Sequence, residues 1–526
     1  MPVTLSSVFA DCAHIIPEII LVITLCAVIL ADVVLPRSRS GQTGFITLAG
    51  LTLAFFSIAF SYGNKSIFSM TAEAASSGPV YAFSRMLVVD KLSDFFKIIF
   101  ILGTAAVVLL SLKSEELRNY RMGEYYTLIL GTLLGGAFLV SSNNFLMLVL
   151  SLETLSLCSY VLAGYQKHDR LSAEASLKYI LYGSVASGVM LFGISYIYGL
   201  AGTLDVRDAL VGIPMREDNA MAVLLSFILV IGGLGFKMAV VPFHFWCPDV
   251  YQGAPTPITA FLAVVSKAAG FSALFRVLLP LFAIQNGAIP ETLVAVRAPL
   301  LSLINLGHLP LLFWILSVAT MTLGNLVAIR QTNLKRLLAY SSIAHAGYIL
   351  MGMTVFNSAS MEAMLLYFFV YLFMNIGAFA VVIVMMNKTG SAELSAYKGM
   401  IYKNPWLTIS MFIFLISLTG IPPTAGFIGK LRLFGAVVGA GQDAWNQGLH
   451  GEAKFYYSLV IIGGINTAIS LFYYMKVAKA MIFDRSADDK PLPIGALDMS
   501  YIFACCALVF LFFMQFDPIL RLVRLF

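Results

Sequence analysis

The chain has 526 residues, of which 60% are hydrophobic and only 11% charged, with a mean hydropathy of +0.89. Soluble domains carry about 25% charged residues, so a soluble globular enzyme is excluded. The net charge of +6 does not point to nucleic acid, because the lysines and arginines are spread over the connections between apolar runs, where they report topology.

Apolar runs of about 20 residues, the length a helix needs to cross a bilayer, recur from one end to the other. Strict alternation in segments of about ten, as in a membrane β-barrel, is absent. The runs predict an all-α polytopic membrane protein of fourteen spans. These lie near residues 14–35, 42–61, 91–112, 123–141, 144–164, 174–200, 220–245, 256–283, 311–329, 336–356, 361–387, 405–433, 455–482 and 498–516. The first run follows no basic segment and is long enough to span, so it reads as span 1 and not as a cleaved signal peptide. The loops after odd-numbered spans carry seventeen Lys and Arg residues, and the remaining loops with the termini carry nine. By the positive-inside rule the first set is expected in the cytoplasm and both termini outside it. The connections at 62–90 and 283–310 are then the long external ones.

Two stretches share a layout. Residues 123–283 (spans 4–8) hold an acidic mid-helix followed by a proline-interrupted helix with a lysine. Residues 311–483 (spans 9–13) hold a mid-helix histidine in "AYSSIAHAGYIL" followed by "LTGIPPTAGFIGKLRLF". Each unit has five helices, an odd number, so the second is expected to be inverted relative to the first. Corresponding broken helices in inverted halves point to an ion path at the membrane midplane. Residues 1–122 (spans 1–3) and 484–526 (span 14) flank these units.

The ionisable residues within the spans are the informative ones. Glu153 sits in the middle of "LMLVLSLETLSLCSYVLAGY", and Lys237, Lys267 and Lys430 are similarly placed in spans 7, 8 and 12, with His345 centred in span 10. A charge at a helix centre costs roughly 2.5–3.5 kcal/mol, so Glu153 and the three lysines together cost on the order of 10–14 kcal/mol before pairing. A packing role does not account for such a cost. Lys178 lies about one turn from the cytoplasmic end of span 6 and can snorkel, and Arg276 and Arg432 are expected to do so. His345 can equally be a neutral core histidine. His244 and Cys247 in "PFHFWCP" make a poor metal site and read as packing at a break. The six cysteines form no CxxC pair.

Pro242 removes a backbone donor, so span 7 is expected to open soon after Lys237. Freed carbonyls at membrane depth need protein or water to satisfy them. A lysine, a gap and water together make a proton-transfer site. No dinucleotide fingerprint and no phosphate-binding loop is present, and "GGLGFK" has the wrong spacing for one. Nucleotide or redox chemistry is therefore expected on other chains.

The strings "SLETLSLCSYVLAGY", "EASLKYILYGSVASG", "GFKMAVVPFHFWCPDVYQGAPTPITAFLAVVSKAAGF", "NLKRLLAYSSIAHAGYILMG" and "GIPPTAGFIGKLRLF" together resemble the proton-translocating antiporter-like subunits of respiratory complex I, from about Tyr125 to Phe483. Lys430 stands where the M branch of that family carries a glutamate, and the chain stops at Phe526 where the L branch extends. Both features favour the N branch. The resemblance implies that Glu153 and Lys237 form an ion pair and that Lys178 belongs to the same half. It implies too that Lys267 leads toward the second half, His345 bridges, and Lys430 serves the exit side. It further implies an energy-transducing membrane, such as a bacterial inner membrane, with other membrane-arm subunits and lipid as neighbours and protons as the transported species. No cofactor is expected in this chain. NADH or ferredoxin, FMN, iron–sulfur clusters and quinone would belong to partner subunits. A multi-subunit sodium/proton antiporter shares the same pattern, and a purely structural membrane scaffold is the alternative of a different class.

Overall fold

The computed structural model describes residues 5–63, 79–212, 220–285, 308–485 and 490–523. Most of the two long connections expected outside, and the cations Lys65, Arg216 and Arg297 on the external loops, lie beyond these residues. Among the described residues, twelve helices are long and apolar enough to cross a membrane. Two more elements complete the expected fourteen. Span 10 is Leu334–Gly352, and span 12 is split into Pro405–Thr419 and Ala425–Asn446. Sequence neighbours associate as antiparallel hairpins, with span 9 on span 10, span 6 on span 7, span 4 on span 5 and span 1 on span 2.

The helix boundaries follow from local chemistry. Asn144, Asp169, Asn333, Asn357 and Asn404 each accept a backbone N–H in the first turn that follows, so spans 5, 6, 10, 11 and 12 start on side-chain caps. Asp90 and Ser93 form a reciprocal capping box at the start of span 3, Lys91–Ser111. Between spans 2 and 3, Val80–Ala82 pairs antiparallel with Leu87–Val89 in a short hairpin.

Burial sorts the spans into centre and periphery. Span 8 is buried along its whole membrane-crossing length and span 11 nearly so, whereas spans 1, 13 and 14 leave most of their surface open. Span 10 is the least apolar of the central helices, yet every residue in it except Arg336 and Tyr340 is buried. A polar helix at the centre of a membrane bundle has to satisfy its polar groups internally.

Two breaks appear where the prolines lie, in different form from the expectation. Span 7 ends at Met238, earlier than residue 245, and the chain turns through Pro242 into a separate short helix, Trp246–Gly253. Span 12 ends its first piece at Thr419, where Gly420 takes φ +88°, and resumes at Ala425. Span 8 contains a π-turn over Leu262–Ser266 immediately before Lys267. Such wide turns recur at functional positions inside helices.

Arg276 does not snorkel. It is 4% exposed, donates to Asp90 Oδ2 at 2.5 Å and Oδ1 at 2.8 Å, and reaches the Val140 carbonyl at 2.8 Å. Asp90 lies just ahead of span 3. Burial alone would raise its pKa, but the Arg276 guanidinium and the Ser93 N–H hold it below the usual carboxylate range. Arg432 is exposed over the Phe516 ring, as a snorkelling residue should be. A further pair was absent from the sequence reading. Glu18 of span 1 (Ile16–Val34) and Lys97 of span 3 meet at 2.6 Å, both fully enclosed. Asp32 and Arg121 tie spans 1 and 4 together at 2.7 Å.

Candidate functional site

In the first half, Lys237 is the penultimate residue of Ala220–Met238 and is 1% exposed. Its Nζ donates to Ser156 Oγ and Ser159 Oγ, each at 3.2 Å, and to Tyr179 Oη at 3.1 Å. The same ammonium lies 5.1 Å from the Tyr179 ring centre, a cation–π distance. Tyr179 stacks on Trp246 at 4.3 Å, and Trp246 Nε1 donates to the carbonyl of Phe236, the residue before Lys237. The short helix after the break is thereby locked against the lysine it follows.

Glu153 lies three residues before Ser156 and so on the same face of span 5. Its carboxylate accepts a hydrogen bond from Ser187 of span 6. The direct Glu153–Lys237 ion pair implied by the resemblance is not formed, since among the described residues no carboxylate lies within 4 Å of Lys237. Ser187 holds Glu153 toward span 6, and the hydroxyls of Ser156 and Ser159 occupy the ammonium. Lys178 is drawn elsewhere as well. It donates to Asp249 at 2.5 Å and Glu174 at 2.6 Å and is about one-third exposed.

Where the halves meet, Lys267 of span 8 follows the π-turn and donates to Ser342 Oγ of span 10 at 2.6 Å. The adjacent Ser341 is hydrogen-bonded to the Tyr474 hydroxyl, which lies 3.2 Å from His345 Nε2. The other ring nitrogen, His345 Nδ1, lies 2.5 Å from the Tyr367 hydroxyl. Two hydrogen-bonded sets, Lys267–Ser342 and Ser341–Tyr474–His345–Tyr367, thus meet at adjacent residues of span 10. Lys430 donates to the Thr419 carbonyl at 2.8 Å and sits 4.4 Å from the Tyr348 ring centre. That carbonyl is the last of the Pro405–Thr419 helix, so the ammonium meets the negative end of a helix dipole. A Cβ at Gly420 would stand 2.7 Å from Lys430 Cδ, so glycine is needed here for space as well as for its φ. Lys237 precedes its break in the chain and Lys430 follows its own. The two lysines are thus not at equivalent places in a strict repeat.

The buried cations fall into two kinds. Lys97 and Arg276 each hold a carboxylate at 2.6 Å or less. Lys237, Lys267, Lys335 and Lys430 rest on hydroxyls, carbonyls and aromatic faces, with no carboxylate within 4 Å among the described residues, and Lys335 alone of the four holds nothing but a carbonyl, that of Ala254. A hydroxyl accepts from an ammonium and donates to an amine, so the Lys237 and Lys267 sites accommodate either protonation state, while the Thr419 carbonyl accepts an N–H from Lys430 in either state. The sequence reading missed the hydroxyl partners, chiefly Tyr179, Ser342, Tyr367 and Tyr474. The signal available was a concentration of Ser and Tyr inside apolar spans, as in "AYSSIAHAGY". It missed Asp249 too. His244 and Cys247 are buried at the first break, and no group of three or more His, Cys, Asp or Glu side chains suited to a metal occurs among the described residues.

The family described as NADH:quinone oxidoreductase/Mrp antiporter, transmembrane, matches residues 142–309 and 291–446. NADH-quinone oxidoreductase subunit N of Anaeromyxobacter sp. (strain Fw109-5) is 39% identical over 512 residues, covering 94% of this chain and 92% of that relative. The chain belongs to the subunit N family. NAD(P)H-quinone oxidoreductase subunit 2 of Gloeothece citriformis (strain PCC 7424) is 36% identical, covering 90% of this chain and 83% of that relative. Among solved structures, a chain of respiratory complex I from Thermus thermophilus superposes with a TM-score of 0.74 at 29% identity, covering 96% of this chain and 99% of that one. A chain of the Mrp complex from Dietzia sp. DQ12-45-1b gives 0.78 at 19% identity, covering 97% and 96%. The fold is common to both assemblies and cannot separate them. Sequence separates them, and it favours the subunit N family over the antiporter alternative.

Proposed function

We propose that this chain carries protons across an energy-transducing membrane as a membrane-arm subunit of an NADH–quinone oxidoreductase. Partner subunits would hold the FMN, the iron–sulfur clusters and the quinone site, and would take electrons from NADH or ferredoxin. The observation that carries the reading is the second kind of buried cation. Lys237, Lys267 and Lys430 are each at most 4% exposed, beside a break or wide turn, and held by groups that tolerate both protonation states. In this reading Glu153 and Lys178 set the charge around Lys237, protons pass by Lys267 and the Ser342–Ser341–Tyr474–His345 run, and Lys430 releases them. The stretches 123–283 and 311–483 are the two inverted units, flanked by 1–122 and 484–526, and the break in each supports that division.

Substituting Lys430 by alanine should lower proton pumping in assembled complex severalfold, whereas Arg432→Ala, two residues on and exposed, should have little effect. Equal and negligible effects would remove Lys430 from the relay. The orientation rests on the seventeen-to-nine split of loop cations. Single cysteines placed in the Val80–Val89 hairpin should react with an impermeant reagent from outside, and cysteines between Lys388 and Lys403 should not. The reverse pattern would overturn it.

A further inference from the structure

We propose that Asp249 is a positioning residue that joins the two halves of the relay on its cytoplasmic side, an inference that rests on the proton-carrying reading above. Its carboxylate is divided between two cations from different halves. Oδ2 accepts from Lys178 of span 6 at 2.5 Å, and Oδ1 accepts from Arg336 Nη1 of span 10 at 2.7 Å. Arg336 also donates to Gln252 Oε1, one turn along the same short helix, at 2.9 Å. The neighbouring Lys335 is buried and donates to the carbonyl of Ala254, at the end of that helix, at 2.6 Å. Span 10 of the second half thus grips the Trp246–Gly253 helix by three side-chain contacts.

The same eight-residue helix touches the Lys237 site directly. Trp246, three residues before Asp249, stacks on Tyr179 and donates to the Phe236 carbonyl. Tyr179 is a partner of the Lys237 ammonium and the neighbour in sequence of Lys178. A change in how Asp249 shares itself between Lys178 and Arg336 is therefore delivered, through one rigid aromatic stack, to a hydroxyl that holds Lys237. Asp249 also sets where Lys178 stands. With Asp249 and Glu174 both drawing on its ammonium, Lys178 is kept at the rim, away from Glu153. Loss of the Asp249 charge leaves Lys178 with Glu174 alone and so loosens the tie between span 6 and the Trp246–Gly253 helix.

Asp249, Lys178 and Arg336 are each about a quarter to a third exposed. Ion pairs so exposed contribute little to stability, so Asp249→Asn, which keeps the shape, should fold and assemble. The test is the proton-pumping rate per assembled complex in proteoliposomes. Asp249→Asn should lower it about fivefold, the low end of the coupling seen between linked sites, and Asp249→Glu should restore most of it. In a Lys178→Met or Arg336→Gln background the asparagine should add little further, because the three side chains act as one unit. Wild-type pumping by Asp249→Asn, or independent multiplication of the three effects, would overturn the proposal. If Asp249→Asn does not assemble, the cycle between Lys178→Met and Arg336→Gln decides in the same way, non-additivity supporting the link and multiplication overturning it. Lys237→Arg in the same preparation separates the two layers. Blocked pumping there with normal pumping in Asp249→Asn removes only the Asp249 link, whereas normal pumping in Lys237→Arg removes the relay itself.

Discussion

Lys237→Arg is expected to stop proton movement through this chain in a complex that still assembles. Arginine keeps a positive charge and can still donate to Ser156, Ser159 and Tyr179, so the electrostatic and packing roles of the site survive in large part. What it cannot do is give up its proton at physiological pH. A positioned proton donor or acceptor contributes about 10²–10⁴-fold to a transfer step, so a loss of 100-fold or more is expected. Three features make lysine fit for loading and unloading at this position. Its partners are hydroxyls, it has no carboxylate within 4 Å among the described residues, and it stands at a helix end beside a break.

Lys97→Met is expected to have the opposite character, a large loss of stability. The Glu18 carboxylate is wholly buried, and no hydrogen-bond donor other than Lys97 reaches it among the described residues. Removing the lysine alone strands that charge, at a cost of roughly 3–5 kcal/mol. A typical domain is stable by only about 5–15 kcal/mol, so spans 1 and 3 should separate easily and the yield of assembled complex should fall sharply. The double variant Glu18→Leu with Lys97→Met removes both charges and should recover most of the loss. Thermal denaturation of purified complex, comparing single and double variants, checks this. Equal destabilisation of the two would mean that Lys97 stabilises through its packing and not through the pair.

Much of the architecture was legible because hydropathy and proline report depth along the membrane normal. Run length and loop charge located the spans, and Pro242 and Pro422 located the breaks. Depth is not azimuth, however. Glu153 and Lys237 both lie within spans, but the sequence does not show that Ser187 turns one aside while Ser156 and Ser159 hold the other. Arg276 stands near a span end, and its partner Asp90 is 186 positions away in the chain, so proximity to the interface was the only visible cue. Glu18 and Lys97 escaped for a related reason, since each lies within about two turns of a span end and resembles an interfacial residue. The split of span 12 was harder to place than its proline, because the second piece runs on to Asn446 through the less apolar segment "VVGAGQDAWN". The hydroxyl partners were hidden because Ser and Tyr inside apolar runs carry little hydropathy signal. Their meaning comes only from the cation each of them faces.

The most direct test is the proton-pumping rate of reconstituted complex bearing Lys237→Arg, measured together with quinone reduction and with assembly verified on the same preparation. A lysine that works by taking up and releasing a proton requires pumping to collapse although the positive charge is still in place. Near-normal pumping would show that Lys237 serves only as a fixed charge, and that protons do not cross this chain through it.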